Sequence, residues 1–167
     1  KFDVAFVCNP NNLHITTALK CAEAGCHLFI EKPLSHKLRD VQKLEHICQK
    51  KKLINMVACN MRFNSCLQFI KKYMVKNKLG NIYGIHHEFG YYLPYWRAKQ
   101  DYRKNYAAKK ETGGGIILDD IHECDLLFWL NDFANVKRQS FVFGKMSDLD
   151  IETEDSCIAS FRFANNV

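Results

Sequence analysis

Val4-Ala5-Phe6-Val7-Cys8, a short unbroken apolar run, is stopped by Asn9-Pro10-Asn11-Asn12. An apolar run of this length bounded by turn residues is the pattern of a parallel strand buried on both faces. Outward from it, Leu13 to Ala24 reads as a helix closed by Gly25, which can take the left-handed conformation that ends helices. Cys26-His27-Leu28-Phe29-Ile30 repeats the strand pattern and ends at Glu31-Lys32-Pro33. A second helix is expected from about His36 to Lys51, with Leu38, Val41, Leu44 and Ile47 as its buried side. Leu53 to Cys59 then gives a third strand, ending in Asn60-Met61-Arg62-Phe63. This βαβαβ order, at a spacing of roughly 25 residues, predicts an α/β fold, with part of a Rossmann-type parallel sheet over residues 1–62. Ligands of such sheets bind beyond the carboxyl ends of the strands, so Asn9–Asn12, Glu31–Pro33 and Asn60–Arg62 are expected to line one crevice.

A different pattern begins after Phe63 and predicts a second domain over 63–167, part of an α+β unit with an open, mainly antiparallel sheet. Ser65 can cap a helix from Cys66 to Leu79 closed by Gly80, and Ile82 to Tyr92 reads as a long strand. Ser140–Phe143 and Ser156–Phe163 are strand-like as well. Between them, Leu93 to Thr112 has little apolar periodicity, and a loop of about twenty residues in a folded protein is functional or disordered. It carries Trp96, Arg97, Tyr102 and Arg103, conspicuous residues that point to ligand contact, while Lys99, Lys104, Lys109 and Lys110 read as solvated charge.

The loop runs into Gly113-Gly114-Gly115 and then a helix carrying Asp119, His122 and Asp125 at three-residue intervals, which places them on neighbouring turns. Ile117, Ile121, Cys124 and Phe128 form the stripe expected to face the core. A carboxylate three residues before a histidine can fix its tautomer and support a general base near neutral pH; the same pairing also serves stability alone.

Composition narrows the partners. With 167 residues and 47% hydrophobic content the chain can build a packed core, and no apolar run approaches the ~20 residues of a membrane span. Neither a membrane nor a secretory signal is indicated, so a cytoplasmic location is expected. The eight cysteines show no CxxC and no Cys/His spacing, which predicts reduced core thiols and no metal. A net charge of +6 favours anionic ligands, phosphorylated cofactors and sugar nucleotides among them. Nucleic acid is disfavoured, because Asp119, Asp120, Glu123 and Asp125 follow the basic loop and would repel a phosphate backbone. No G-x-G-x-x-G and no ribose-binding acid after it occur, which leads us to expect that the chain lacks the first part of the domain and alone binds dinucleotide poorly.

These residues resemble the Gfo/Idh/MocA oxidoreductases over nearly the whole chain. Asn9-Pro10-Asn11 with His14 is similar to the family's T-P-N-x-x-H loop, with Asn9 departing at the first position. Glu31-Lys32-Pro33 resembles its E-K-P signature, Asn60 with Arg62-Phe63 its N-x-R-F segment, and Trp96-Arg97 and Gly113–Asp125 its later motifs. Many members place the helix aspartate four residues before the histidine; here Leu118 stands there and Asp119 is three before. Members resembling this chain, with D-Y-R as in Asp101-Tyr102-Arg103, are often sugar-nucleotide and surface-polysaccharide enzymes. The resemblance implies hydride exchange between NAD or NADP and a hydroxyl of a sugar, sugar nucleotide or polyol, in a homo-oligomer joined through the open sheet. It implies Lys32 as the group that steadies the reacting oxygen, His122 as base and Asp119 as its orienter. Asn9, Pro10, Asn11, His14, Glu31, Lys32, Asn60 and Arg62 would line the cofactor, and Trp96, Arg97, Tyr102 and Arg103 the substrate. An acid before Lys-Pro also serves to hold a turn, and a histidine at a helix start also serves as a cap. A dinucleotide- or sugar-sensing regulator of the same fold, which turns nothing over, is the alternative.

Overall fold

The apolar run at the start of the chain forms β1, Val4–Val7, and pairs in parallel with β2, His27–Ile30, which pairs in parallel with β3, Asn55–Val57. The computed structural model describes residues 2–97, 99–165 and 167. Helix α1, His14–Glu23, follows β1, and α2, Val41–Lys51, follows β2, giving the expected βαβαβ order. On α1 the residues His14, Ile15, Ala18, Leu19 and Ala22 are buried, a one-sided stripe at helical spacing. They close on Val7, Leu28 and Ile30 of the sheet and on Leu44 and Cys48 of α2. Each fully buried leucine or isoleucine here contributes about 1.5–3 kcal/mol.

Three expectations for this region are corrected. The strands are buried on one face only, since Val4 and Phe6 are 47% and 71% exposed on the face that no described helix covers. Helix α2 begins at Val41 rather than His36, because Asp40 sits in the left-handed region at φ 66° and breaks the helical path. Leu38 therefore lies outside the helix and is exposed.

Helix α3, Ser65–Val75, is capped by Asn64, whose side-chain oxygen accepts from the Cys66 and Leu67 amides at 3.0 and 3.3 Å. Ser65 is thus the first helical residue and not the cap, and the helix stops short of Leu79, with Asn77 left-handed at φ 52°. Ile82–Tyr92 is not a strand; among the described residues no neighbouring strand accepts its backbone hydrogen bonds, and a ladder needs a partner.

The stretch expected as one long loop is ordered by local caps. It holds α4, Leu93–Trp96, and 3₁₀ turns at Tyr102–Lys104, Tyr106–Ala108 and Lys110–Thr112, the first two capped by the Asp101 and Asn105 side chains. Ala107 and Ala108 are buried, and the Ala107 carbonyl accepts from the Thr153 hydroxyl at 2.9 Å. A β-carbon on Gly114 would lie 2.3 Å from the Tyr106 carbonyl oxygen, so only glycine allows this turn to fold back onto the chain that follows it.

The glycine run does not lead into one helix. Asp120, at φ −102° and ψ 33°, separates α5, Ile116–Asp119, from α6, Ile121–Leu130. The stripe expected to face the core, Ile117, Ile121, Cys124 and Phe128, is only partly buried, and Leu126 is the residue of α6 that is fully buried. β4, Val136–Gly144, and β5, Ser156–Phe163, then pair antiparallel with Val142 opposite Ile158. Phe128 of α6 packs edge-on against Phe161 and Phe163, ring centres 5.3 Å away in both cases. No helix among the described residues is long and apolar enough to cross a membrane.

Candidate active site

Side chains from both halves of the chain meet beyond the carboxyl ends of the parallel strands. Asn11 donates to the Gly113 carbonyl and Asn12 to the Glu111 carbonyl, both at 3.1 Å, which fastens the turn after β1 to the glycine run. Arg62, just past β3, makes a two-pronged ion pair with Asp125 of α6 and lies 5.0 Å from the Phe133 ring. Arg62, expected on the cofactor side, is therefore committed to a brace between the third strand's exit and the helix.

Lys32 follows β2. Its ammonium donates to the backbone carbonyl of Asp119 and lies 3.4 Å from Asp119 Oδ1. The Asp119 side chain, 9% exposed, also accepts from two tyrosines. Tyr106 donates to Oδ1 at 2.6 Å and Tyr91 to Oδ2 at 2.9 Å. Burial first, and the Asp119 carboxylate next to them, push both phenols well above the usual tyrosine range, so both remain neutral donors. The lysine and aspartate were legible in the sequence; the two tyrosines were not.

The orienting contact expected from Asp119 to His122 is absent among the described residues: the Asp119 carboxylate is instead taken by Tyr106, Tyr91 and Lys32. Nδ1 of His122 is buried without a partner. Burial, and then the nearby Lys32 charge, lower the pKa of His122 below its ordinary value, which keeps the imidazole neutral and able to accept a proton at neutral pH. Asp120, which nothing in the sequence singled out as a site residue, is pushed up to about 6 by burial and then by the Asp119 charge, with Oδ2 buried and unpartnered. Its position at the break between two short helices, invisible to periodicity, sets it there.

The candidates for cofactor contact divide. Asn9 donates to the Thr17 hydroxyl at 2.8 Å and leaves Oδ1 buried without a partner, an acceptor suited to a ligand's amide or hydroxyl. Glu31 accepts from the Lys32 amide at 3.2 Å, Pro10 closes a turn by accepting from the Leu13 amide at 2.8 Å, and Asn60 is exposed at the end of β3. His14 is 1% exposed, with its ring nitrogens 2.7 Å from the Pro33 and Asn9 carbonyl oxygens. It therefore braces the ends of β1 and β2 against each other and offers no face to a ligand. The orphaned Asn9 oxygen, beyond three converging strand ends, fits a dinucleotide, which Asn9, Pro10, Asn11, Glu31 and Asn60 would hold.

The loop candidates divide as well. Trp96 stacks on Tyr91 with ring centres 4.5 Å apart, and the Arg97 guanidinium lies 5.7 Å from the Tyr106 ring centre, so both reach Asp119 through the tyrosines. Arg103 is paired with Asp101 at 2.8 and 3.0 Å, and the Tyr102 hydroxyl accepts from the Asp150 amide at 3.3 Å. Neither touches Lys32, Asp119 or His122 among the described residues. No cluster of side chains suited to a metal occurs among them either.

Residues 1–59 match the model of the oxidoreductase family with an NAD-binding Rossmann fold, and residues 67–167 match the GFO/IDH/MocA C-terminal domain. Levoglucosan dehydrogenase of Pseudarthrobacter phenanthrenivorans is 30% identical over 129 residues, covering 76% of this chain and 32% of the relative. The WlbA dehydrogenase of Bordetella pertussis, solved with NADH and UDP-GlcNAcA, superposes with a TM-score of 0.80 at 26% identity, over 98% of this chain and 46% of that one. An inositol dehydrogenase homologue from Azotobacter vinelandii, solved with NAD+, shares the fold with a TM-score of 0.83 at 19% identity, over 97% and 43% of the two chains. The chain thus spans about a third to a half of the length of these relatives.

Proposed function

We propose, from the premise that this chain belongs to the Gfo/Idh/MocA oxidoreductase family, that the intact protein exchanges a hydride between a nicotinamide dinucleotide and a hydroxyl-bearing carbon of a sugar, sugar nucleotide or polyol. One observation supports the reading: an ammonium from the end of β2 lies against a buried carboxylate of α5, across the two halves of the chain, with the neutral His122 imidazole near enough for the Lys32 charge to lower its pKa. A dinucleotide supplies hydride acceptance or return, and everything else falls to these side chains.

Lys32 holds the reacting oxygen and stabilises alkoxide character as the O–H bond weakens. Asp119 seats Lys32, through its backbone carbonyl and its carboxylate. His122 accepts the hydroxyl proton, so that a C–H hydride and an O–H proton leave the substrate and a carbonyl remains; the reverse direction returns both. Trp96 and Arg97, stacked behind the tyrosines, would contact the sugar. Two domains, 1–62 and 63–167, would meet at this site. The relatives' substrates support sugars and sugar nucleotides over small hydroxy acids, with a role in polysaccharide precursor synthesis as the narrower reading. Eight free cysteines support a reducing, cytoplasmic setting. The outward face of the open sheet, with Val142 and Ile158 exposed, supports a homo-oligomer.

Screening the intact protein with NAD and NADP against sugar nucleotides, free sugars and polyols, by nicotinamide absorbance, tests the reading. Turnover of at least one such compound is expected; turnover of small hydroxy acids only would overturn the substrate class.

A further inference from the structure

We propose that Tyr91 and Tyr106 are positioning residues, gripping the two carboxylate oxygens of Asp119 so that Lys32 keeps its ammonium available to the reacting oxygen. The inference rests on the functional reading above and assigns the tyrosines a part in it.

Three donors converge on one carboxylate, and their lengths rank them. Tyr106 at 2.6 Å and Tyr91 at 2.9 Å are full hydrogen bonds, whereas Lys32 stands 3.4 Å from Oδ1, long for a charge-assisted contact. The phenols thus take the strong acceptor directions, and the ammonium is anchored chiefly by the Asp119 backbone carbonyl, which cannot rotate away. A lysine ammonium has three donors on a flexible stem. Anchored once and only leaning on Oδ1, it keeps donor capacity for a substrate oxygen.

The grip comes from outside the catalytic helices. Tyr91 precedes α4 and Tyr106 belongs to a 3₁₀ turn, so the two fix the carboxylate plane from different segments. Without a phenol, a buried carboxylate oxygen would lose its partner, and Lys32 is the charged donor beside it. The freed carboxylate would swing onto the ammonium and pair tightly with it. Because Trp96 packs on Tyr91 and Arg97 on Tyr106, ligand contact at the loop would also be felt at Asp119.

Tyr91→Phe and Tyr106→Phe keep the rings and remove only the hydroxyls. In the intact protein each is expected to lower kcat by roughly tenfold, with KM and dinucleotide Kd changed less than about twofold, as for an interaction realised in the transition state. In an Asp119→Asn background the same changes should have little further effect, the non-additivity of groups acting through one residue. A second measurement needs no substrate: acetylation by an N-hydroxysuccinimide ester, mapped by mass spectrometry. Lys32 labelling relative to Lys50 should fall several-fold in either Phe variant, because tight ion pairing withdraws the amine. Unchanged or increased Lys32 labelling would overturn the proposal, as would kcat losses that simply add to that of Asp119→Asn. A wild-type protein that turns over no sugar, sugar nucleotide or polyol would sink the functional reading instead, while the labelling still decides whether the grip exists.

Discussion

At the scale of single residues, a neutral imidazole, the proposed base, stands near the anchored Lys32 ammonium. His122 is lowered by burial and by the Lys32 charge, so kcat/KM of the intact protein should lose activity only below pH 6.5, the imidazole's ordinary value, and not above it. The same shift has a sign for stability. Between the depressed folded value and 6.5 the unfolded chain binds more protons at His122, so acidification through that window destabilises the fold. Asp120 works the other way. Its carboxyl is raised from 3.8 to about 6, the folded protein holds the extra proton in that range, and stability falls as pH rises through it. Asp120→Asn should therefore stabilise the protein above pH 6, by about 1–2 kcal/mol after allowing for partial solvent screening, with the gain fading toward pH 4. Thermal melts of the two proteins across pH 4–8 would check it, and a variant less stable at pH 8 would contradict the assignment. Lys32 and His122 were legible as residues because their chemistry stands out where a strand ends and where a glycine run opens a helix. Tyr91 and Tyr106 were not, because their contact with Asp119 depends on how a region without periodicity folds back.

At the scale of elements, glycines and ion pairs hold the two halves in register. Gly113 has φ +77°, and a β-carbon on it would lie 2.9 Å from His36 Cβ and 3.0 Å from Asn11 Cβ. Gly113→Ala should cost roughly 1–3 kcal/mol through backbone strain and should weaken dinucleotide binding, since Asn11 lies on the proposed cofactor side. Calorimetry of folding and of NAD binding would measure both; an unchanged Kd would detach Gly113 from the site. Asp125→Asn removes the carboxylate that holds Arg62, partly buried at both ends, and should destabilise by about 1–3 kcal/mol. Denaturant midpoints give that number, and a neutral substitution would show the brace to be idle. The parallel strands and α1 were readable because their residues bury against neighbours close in sequence. The start of α2 was misplaced because Asp40 adopts a left-handed conformation without being glycine. Ile82–Tyr92 has strand propensity without being a strand, because propensity becomes a strand only beside a partner. The break at Asp120 leaves no mark in the sequence because Ile117, Ile121 and Cys124 keep an apolar spacing that runs straight through it.

At the scale of the whole molecule, the described residues form a three-stranded parallel sheet and a two-stranded antiparallel sheet. The class of both sheets was legible from apolar runs and alternation. Which faces are covered was not, since that depends on what lies against them. Val142 and Ile158 face each other on adjacent strands, 59% and 69% exposed, and mark the face proposed above to join copies of the chain. Val142→Glu should lower the mass of the intact protein in solution measured by light scattering, whereas an unchanged mass would exclude this face as the contact. The most direct test of the central claim, that Lys32 and His122 act on one hydroxyl, is a double-mutant cycle on turnover of the intact protein. Lys32→Ala should lower kcat by roughly a hundredfold or more, His122→Asn by about 10²–10⁴-fold, and the pair by clearly less than the product of the two. Near-normal kcat in both single variants, with melting lowered by several degrees, would contradict the account and leave the two residues as structural parts of the fold.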